Sequence, residues 1–205
     1  MGLKRTQLVD GLDEIAAREP KMARAIARAG YPAERIRPTG YRTLLHTIVG
    51  QQVSVASAAS VWNKLTAALG DELPPDALLA SDFDALRACG LSRQKQGYAR
   101  SLCELVVSGE LPLDNLPEDD EAAIAELTRI KGIGRWSAEI YLLFAEGRHD
   151  IWPAGDLAIR IGAGEIMGLE ERPDEALTRE LAEAWRPWRG AAAVFIWHYY
   201  ENARA

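Results

Sequence analysis

A chain of 205 residues that is 48% hydrophobic can bury its own core, either as one domain or as two small lobes. A formal charge of −6 excludes a uniformly basic nucleic-acid binder, and Cys89 and Cys103 are too few for a four-cysteine zinc or iron–sulfur site. No apolar run reaches membrane-span length and the opening Met1-Gly2-Leu3-Lys4-Arg5 lacks the apolar core of a signal peptide, so the chain reads as soluble, cytoplasmic and without membrane contact.

The alphabet is helical: Ala, Leu, Glu and Arg dominate, and runs of Val, Ile and Thr are short. Residues 8–29 carry apolar side chains at helical spacing, split by Pro20 and broken at Gly30-Tyr31-Pro32. A helix over 42–50 leads into a turn at Gly50-Gln51-Gln52, and Ser54 caps the next helix, which Gly70 ends. Pro74-Pro75-Asp76 reads as a turn into Ala77-Leu78-Leu79, and Ser81 as the cap of a helix over 83–88 that stops at Gly90. Ser92 caps a helix running to about residue 108, and 113–117 is a loop. Helices over 119–130 and 134–146 flank a glycine turn, and helices over 157–167, 174–184 and 187–202 complete the set. No strand pair, βαβ alternation or internal repeat of about 20–50 residues is visible.

Charge is unevenly spread along the chain. Four stretches (35–70, 85–103, 127–138 and 184–200) hold no acidic residue, and the acids collect between them. If these stretches converge they give an acidic protein one positive face; if they do not, the clustering has no consequence.

Lys131-Gly132-Ile133-Gly134 lies between two apolar-patterned helices. Glycines permit positive φ and bring backbone close to a ligand, and the unpaired N–H groups that start the second helix suit an anion. A bare Gly-x-Gly would equally serve as an ordinary helix–turn–helix corner. The fuller pattern Leu127-x-x-Ile130-Lys131-Gly132-Ile133-Gly134-Arg135, with two basic residues at the turn, points to phosphate. Pro153-Ala154-Gly155-Asp156 then delivers a lone carboxylate into a helix starting at Leu157. Asp156 reads as a helix N-cap, a role compatible with catalysis. A fixed carboxylate stabilises positive charge that develops on a sugar and can orient or deprotonate a water.

Taken together, Leu127 to Trp136, Pro153 to Leu157, Ile48-Val49-Gly50-Gln51-Gln52-Val53-Ser54, and Trp185 to Gly190 with Ile196-Trp197 resemble the helix–hairpin–helix (HhH-GPD) DNA glycosylase superfamily. Within it the resemblance is to 3-methyladenine DNA glycosylase II and its single-domain microbial and fungal relatives, over about residues 41–202. The resemblance implies an all-α, two-lobed helical bundle with a central DNA-base cleft. One lobe would span about 41–145, with wedge turn and hairpin; the other would join 1–40 to 146–205. The forty or so residues before Tyr41 are too few and too helical for the N-terminal β-domain of larger relatives. The implied activity is base-excision repair: hydrolysis of the N-glycosidic bond of alkylated purines (3-methyladenine, 7-methylguanine) in damaged double-stranded DNA, after base flipping, by a monomer at the nucleoid.

Residue by residue, the resemblance makes Asp156 the catalytic aspartate and Gln52 the intercalating wedge. Trp136 and Trp197 would be base-pocket aromatics. Ile140 stands where glycosylase II has a tyrosine one helical turn beyond Trp136, which bears on substrate range. Bifunctional relatives carry a lysine nucleophile at the position of Trp136, so no lyase activity is expected. Lys131, Gly132, Gly134 and Arg135 would hold a DNA phosphate, with Ser92 and Arg93 adding a second contact and Lys95 divided between phosphate and solvent. Backbone carbonyls of Thr128, Ile130 and Ile133 match the family's monovalent-cation site; no cofactor is required. Trp62, Trp185 and Trp188 read as packing residues, and Asp150 is a weak second acid. Two alternatives stay open: a glycosylase for deaminated or oxidised bases, and a noncatalytic DNA-binding module.

Overall fold

The computed structural model describes residues 2–203, which form helices and no strand. The chain divides into two compact units, one of Pro38–Tyr141 and one joining the residues through Arg37 to those from Leu142 onward. The expected division at about 40 and 145 therefore moves: Leu142–Glu146 belongs with the terminal segments.

The central unit contains α3 (Tyr41–Gly50), α4 (Val55–Leu69), α5 (Pro75–Ala80), α6 (Phe83–Ala88), α7 (Arg93–Val107), α8 (Asp120–Thr128) and α9 (Arg135–Tyr141). Its spine is α7, which packs on α3 and α5. Spacing explains why: Gln96, Ala99, Leu102 and Cys103 fall on one face and are all buried. On α3 the buried set is Leu44, Leu45, Ile48 and Val49. The buried Gln96 amide donates to the carbonyls of Phe83 and Leu91, at 3.1 and 2.9 Å. Arg100 donates to Leu79 O at 3.0 Å and to Ser81 O, closing the end of α5. Cys103 is fully buried, with its sulfur 3.4 Å from the Tyr41 hydroxyl, and burial pushes its thiol up to about 11. It is therefore held as an unreactive thiol.

Two expectations in this unit are corrected. Pro74-Pro75-Asp76 is no mere turn, because Pro75 opens a helix, the position where a missing N–H costs nothing. Ser81 then ends that helix, and Asp82 caps the next by accepting from Ala85 N at 2.7 Å.

The other unit contains α1 (Arg5–Arg18), α2 (Pro20–Ala29), a π-helical turn (Leu142–Glu146), α10 (Leu157–Met167), α11 (Glu175–Ala182), a 3-10 turn (Glu183–Trp185) and α12 (Arg189–Asn202). Pro20 does split the first helical stretch, with Glu19 capping α2 by accepting from Lys21 N at 3.0 Å. The core element is α12, whose residues from Gly190 to Trp197 are all buried and which packs on α1, α2 and α10. Gly162 of α10 makes the closest approach: a Cβ there would lie 2.6 Å from Ile196. The helix expected over 134–146 is α only to Tyr141 and then widens to the π turn. The helix expected from Pro187 begins at Arg189.

Several polar side chains are absorbed by this architecture. Asp150 accepts from Arg189 through Nε and Nη2, both at 2.9 Å, and also pairs with Arg186, so it braces the start of α12. His198 Nε2 lies 2.9 Å from Ala29 O, joining α12 to the end of α2. Trp185 is fully buried, edge-on to Trp152, and Trp188 donates its indole N–H to Glu14 at 2.8 Å. No helix among the described residues is long and apolar enough to cross a membrane.

Candidate nucleic-acid interface and catalytic carboxylate

The hairpin forms where α8 runs out at Thr128. Ile130 N then bonds to Leu127 O at 3.2 Å and Ile133 N to Ile130 O at 3.0 Å, tightening the chain into a turn. Gly132 has φ +85°, a conformation natural to glycine. Leu127, Ile130 and Ile133 are buried and knit the two sides together, whereas Lys131, Gly132 and Gly134 are exposed. The apolar residues of the motif thus fasten the turn, and its glycines and lysine face solvent.

Residues that sequence reasoning did not single out hold this turn from behind. The Tyr98 ring lies against Gly132 so closely that a Cβ there would meet it at 2.2 Å. Ser101 Oγ accepts from Lys131 N at 3.2 Å. Gln51 Nε2 donates to Gly132 O at 2.8 Å, tying the Gly50–Val53 turn to the hairpin. Beside Gln51, Gln52 is exposed at φ +53°, an uncommon conformation for a residue with a side chain. Only the adjacency of the two glutamines hinted at this division of roles.

The expected phosphate contacts divide into two groups. Lys131 is exposed at the hairpin, and Arg93 is exposed with its guanidinium 5.8 Å from the Phe83 ring centre. Ser92 serves as the cap of α7, accepting from Lys95 N at 3.3 Å. Lys95 turns inward to donate to Val49 O at 2.7 Å, and burial lowers its ammonium pKa. Arg135 is spoken for by carboxylates: Nε donates to buried Glu139 at 3.0 Å and both terminal nitrogens engage Glu121, Nη1 at 2.8 Å. Its charge is compensated within the protein. In α9, Trp136 is 46% exposed and Ile140 is buried.

In the other unit, Asp156 is half-buried at the head of α10. Its Oδ1 accepts from Ala158 N at 2.9 Å, Ile159 N at 3.1 Å and Trp197 Nε1 at 3.1 Å. Asp156 N bonds back to Pro153 O at 3.0 Å, which fixes the approach to the helix. The loop is anchored by Trp152, which is buried and donates its indole N–H to Thr178 O at 3.1 Å. Trp197 was expected to offer a ring to a base; it is only 8% exposed, leans on Phe144 with ring centres 5.5 Å apart, and spends its N–H on Asp156. Its principal visible task is to orient the carboxylate. Trp197→Phe keeps an aromatic ring and deletes that donor; single-turnover base release is expected to fall at least about tenfold, since bonds to charged groups are worth about 1.5–3 kcal/mol.

No group of three or more His, Cys, Asp or Glu able to hold a metal occurs among the described residues. The backbone carbonyls of Thr128, Ile130 and Ile133 are the groups expected to face a monovalent cation. Those at the end of α8 lie at the negative end of its dipole, and Ile130 O, which accepts from Ile133 N, keeps a second lone pair.

An all-helical chain with a glycine hairpin facing solvent and a lone aspartate held by a helix N-terminus defines the helix–hairpin–helix class. Residues 45–187 match the family described as HhH-GPD superfamily base excision DNA repair protein, and the chain belongs to it. It is 33% identical over 193 residues to DNA-3-methyladenine glycosylase 1 of Schizosaccharomyces pombe, covering 92% of this chain and 83% of that one. It is 30% identical to DNA-3-methyladenine glycosylase 2 of Escherichia coli over 75% of this chain and 55% of that one. Among solved structures, a DNA-3-methyladenine glycosidase from Bacillus halodurans superposes with a TM-score of 0.86 at 30% identity, covering 93% and 88% of the two chains. The S. pombe 3-methyladenine DNA glycosylase in complex with abasic DNA gives 0.80 at 29% identity, covering 95% and 98%.

Proposed function

We propose that this protein removes alkylated purines, such as 3-methyladenine and 7-methylguanine, from double-stranded DNA by hydrolysis, acting as a monomer with Asp156 as the catalytic carboxylate. The observation that carries this reading is the convergence of three N–H donors on Asp156 Oδ1, which holds the carboxylate in one orientation. Electrostatic stabilisation is strongest where the charged group needs no reorganisation as the reaction proceeds. An N3- or N7-alkylated purine already carries positive charge. It leaves with the electron pair of the glycosidic bond, becoming neutral, while the deoxyribose takes up positive charge at C1′. Asp156 stabilises that charge. A water then bonds to C1′ and gives its proton to the carboxylate or to solvent, leaving a free base and an abasic sugar.

The other roles follow from the chemistry of the reaction. The target base must leave the stack, and Gln52, exposed at the tip of its turn, fills the gap and hydrogen-bonds the orphaned partner. The hairpin, through Lys131 and the exposed backbone around Gly132 and Gly134, grips a phosphate, and Arg93 adds a second contact. The exposed ring of Trp136 attracts a cationic base through its π face. A monovalent cation held by the carbonyls of Thr128, Ile130 and Ile133 would add positive charge where a phosphate binds.

With Trp136 rather than lysine beside the hairpin, the reaction is monofunctional. Incubation with DNA carrying methylated purines is expected to release free base while leaving the strand intact until heat or alkali is applied. Borohydride should trap no protein–DNA adduct. A trapped adduct would show an amine nucleophile and overturn the hydrolytic mechanism.

A further inference from the structure

The wedge turn and the hairpin are built as one braced piece, and the brace comes from residues the mechanism above does not use. Three side chains spaced along α7 face them: Lys95 donates to Val49 O at the end of α3, Tyr98 lies against Gly132, and Ser101 accepts from Lys131 N. Steps of three residues place such side chains along one stripe of a helix. Gln51 closes the assembly by donating to Gly132 O at 2.8 Å. Gln52, the next residue, stands at φ +53°. A non-glycine residue holds that conformation only when its surroundings enforce it.

We propose that Gln51 is a positioning residue for intercalation: its bond to the Gly132 carbonyl couples the phosphate grip of the hairpin to presentation of Gln52. Lys95 supports the same coupling by fixing the end of α3 to α7. This inference rests on the reading of Gln52 as the wedge. Phosphate binding at the hairpin and insertion into the stack then act as one event. A loose turn would still bind DNA and would insert poorly.

The test uses the full chain and two readouts. The first is fluorescence of 2-aminopurine placed beside a tetrahydrofuran abasic-site analogue in duplex DNA, which rises as insertion unstacks it. The second is single-turnover release of 7-methylguanine. Gln51→Ala is expected to lower the insertion signal and slow release about two- to tenfold, as net loss of one ordinary hydrogen bond would. Affinity for undamaged duplex should stay within about twofold, because the basic contacts remain. Gln51→Glu, of the same shape but without the donor, should behave alike, and Lys95→Met should weaken the signal in the same direction. In a Gln52→Ala background, adding Gln51→Ala should change neither readout further.

An insertion signal at the wild-type level in both Gln51 variants, or a Gln51→Ala effect as large without Gln52 as with it, overturns the proposal. So does a wild type that gives no insertion signal. A wild type that inserts but releases no base contradicts the proposed activity and leaves the positioning role to be decided by the fluorescence alone.

Discussion

Asp156→Asn is expected to slow single-turnover release of 7-methylguanine by at least about 100-fold, the scale on which loss of one preorganised electrostatic partner acts. The substitution removes the negative charge and keeps the shape. Asparagine is as good an N-cap as aspartate, so its side-chain oxygen can still accept from Ala158 N and Ile159 N. The melting temperature is therefore expected to change by only about 2 °C or less. Asp156→Ala would confuse two effects, since losing the cap alone costs about 1 kcal/mol. The decisive pattern is a large loss of release with stability and DNA affinity held. Equal losses in all three would return Asp156 to a purely structural role.

Gly132→Ala is expected to be the most damaging change in the hairpin. A side chain at φ +85° is strained, and its Cβ would meet the Tyr98 ring at 2.2 Å. Left-handed backbone costs about 1–2 kcal/mol and overpacking about 1–3 kcal/mol, so a loss of about 2–5 kcal/mol follows. For a chain of this size the melting temperature should fall by roughly 4–20 °C. Affinity for duplex DNA should fall with it, because relief of the clash must move the turn or the ring. Gly134→Ala is the control for stability: nothing lies within 4 Å of its Cβ position, and a stability shift within about 0.5 kcal/mol is expected. Thermal melts of both variants, with duplex titration of Gly132→Ala, check this. Equal behaviour would mean that Tyr98 does not shape the hairpin.

Local signals carry the helices. Ser54, Ser92 and Asp156 are cap residues and do cap, and Pro20 starts a helix as its fixed φ favours. The hairpin was legible because its apolar, glycine and basic positions are neighbours in the chain. Where two residues of equal aptitude adjoin, pattern alone cannot choose, and so Asp82 rather than Ser81 caps α6. The run Leu142-Leu143-Phe144-Ala145 has the same apolar pattern in an α or a π turn, and packing decides between them.

Long-range polar pairing was invisible. Trp197 reaches Asp156 across 41 positions, and Arg135 reaches Glu121 across 14. Nothing in either local sequence records those partners. An indole expected to stack is found donating, and an arginine expected at a phosphate is found paired with carboxylates. Pattern does not tell Gln51 from Gln52; only three-dimensional structure separates the one that braces from the one that protrudes.

The measurement that bears most directly on the central claim is a comparison of lesions by the wild-type protein in otherwise identical duplexes. Release of 7-methylguanine or 3-methyladenine, both cationic, is set against release of hypoxanthine, which is neutral. Asp150, the second acid the sequence offers, is committed to Arg186 and Arg189 and is not free to protonate a neutral leaving base. The account predicts release of the cationic purines at a rate at least about 100-fold above that of hypoxanthine, a difference of about 2.7 kcal/mol in barrier. Hypoxanthine released as fast as the methylated purines, or no base released from any duplex, would contradict it.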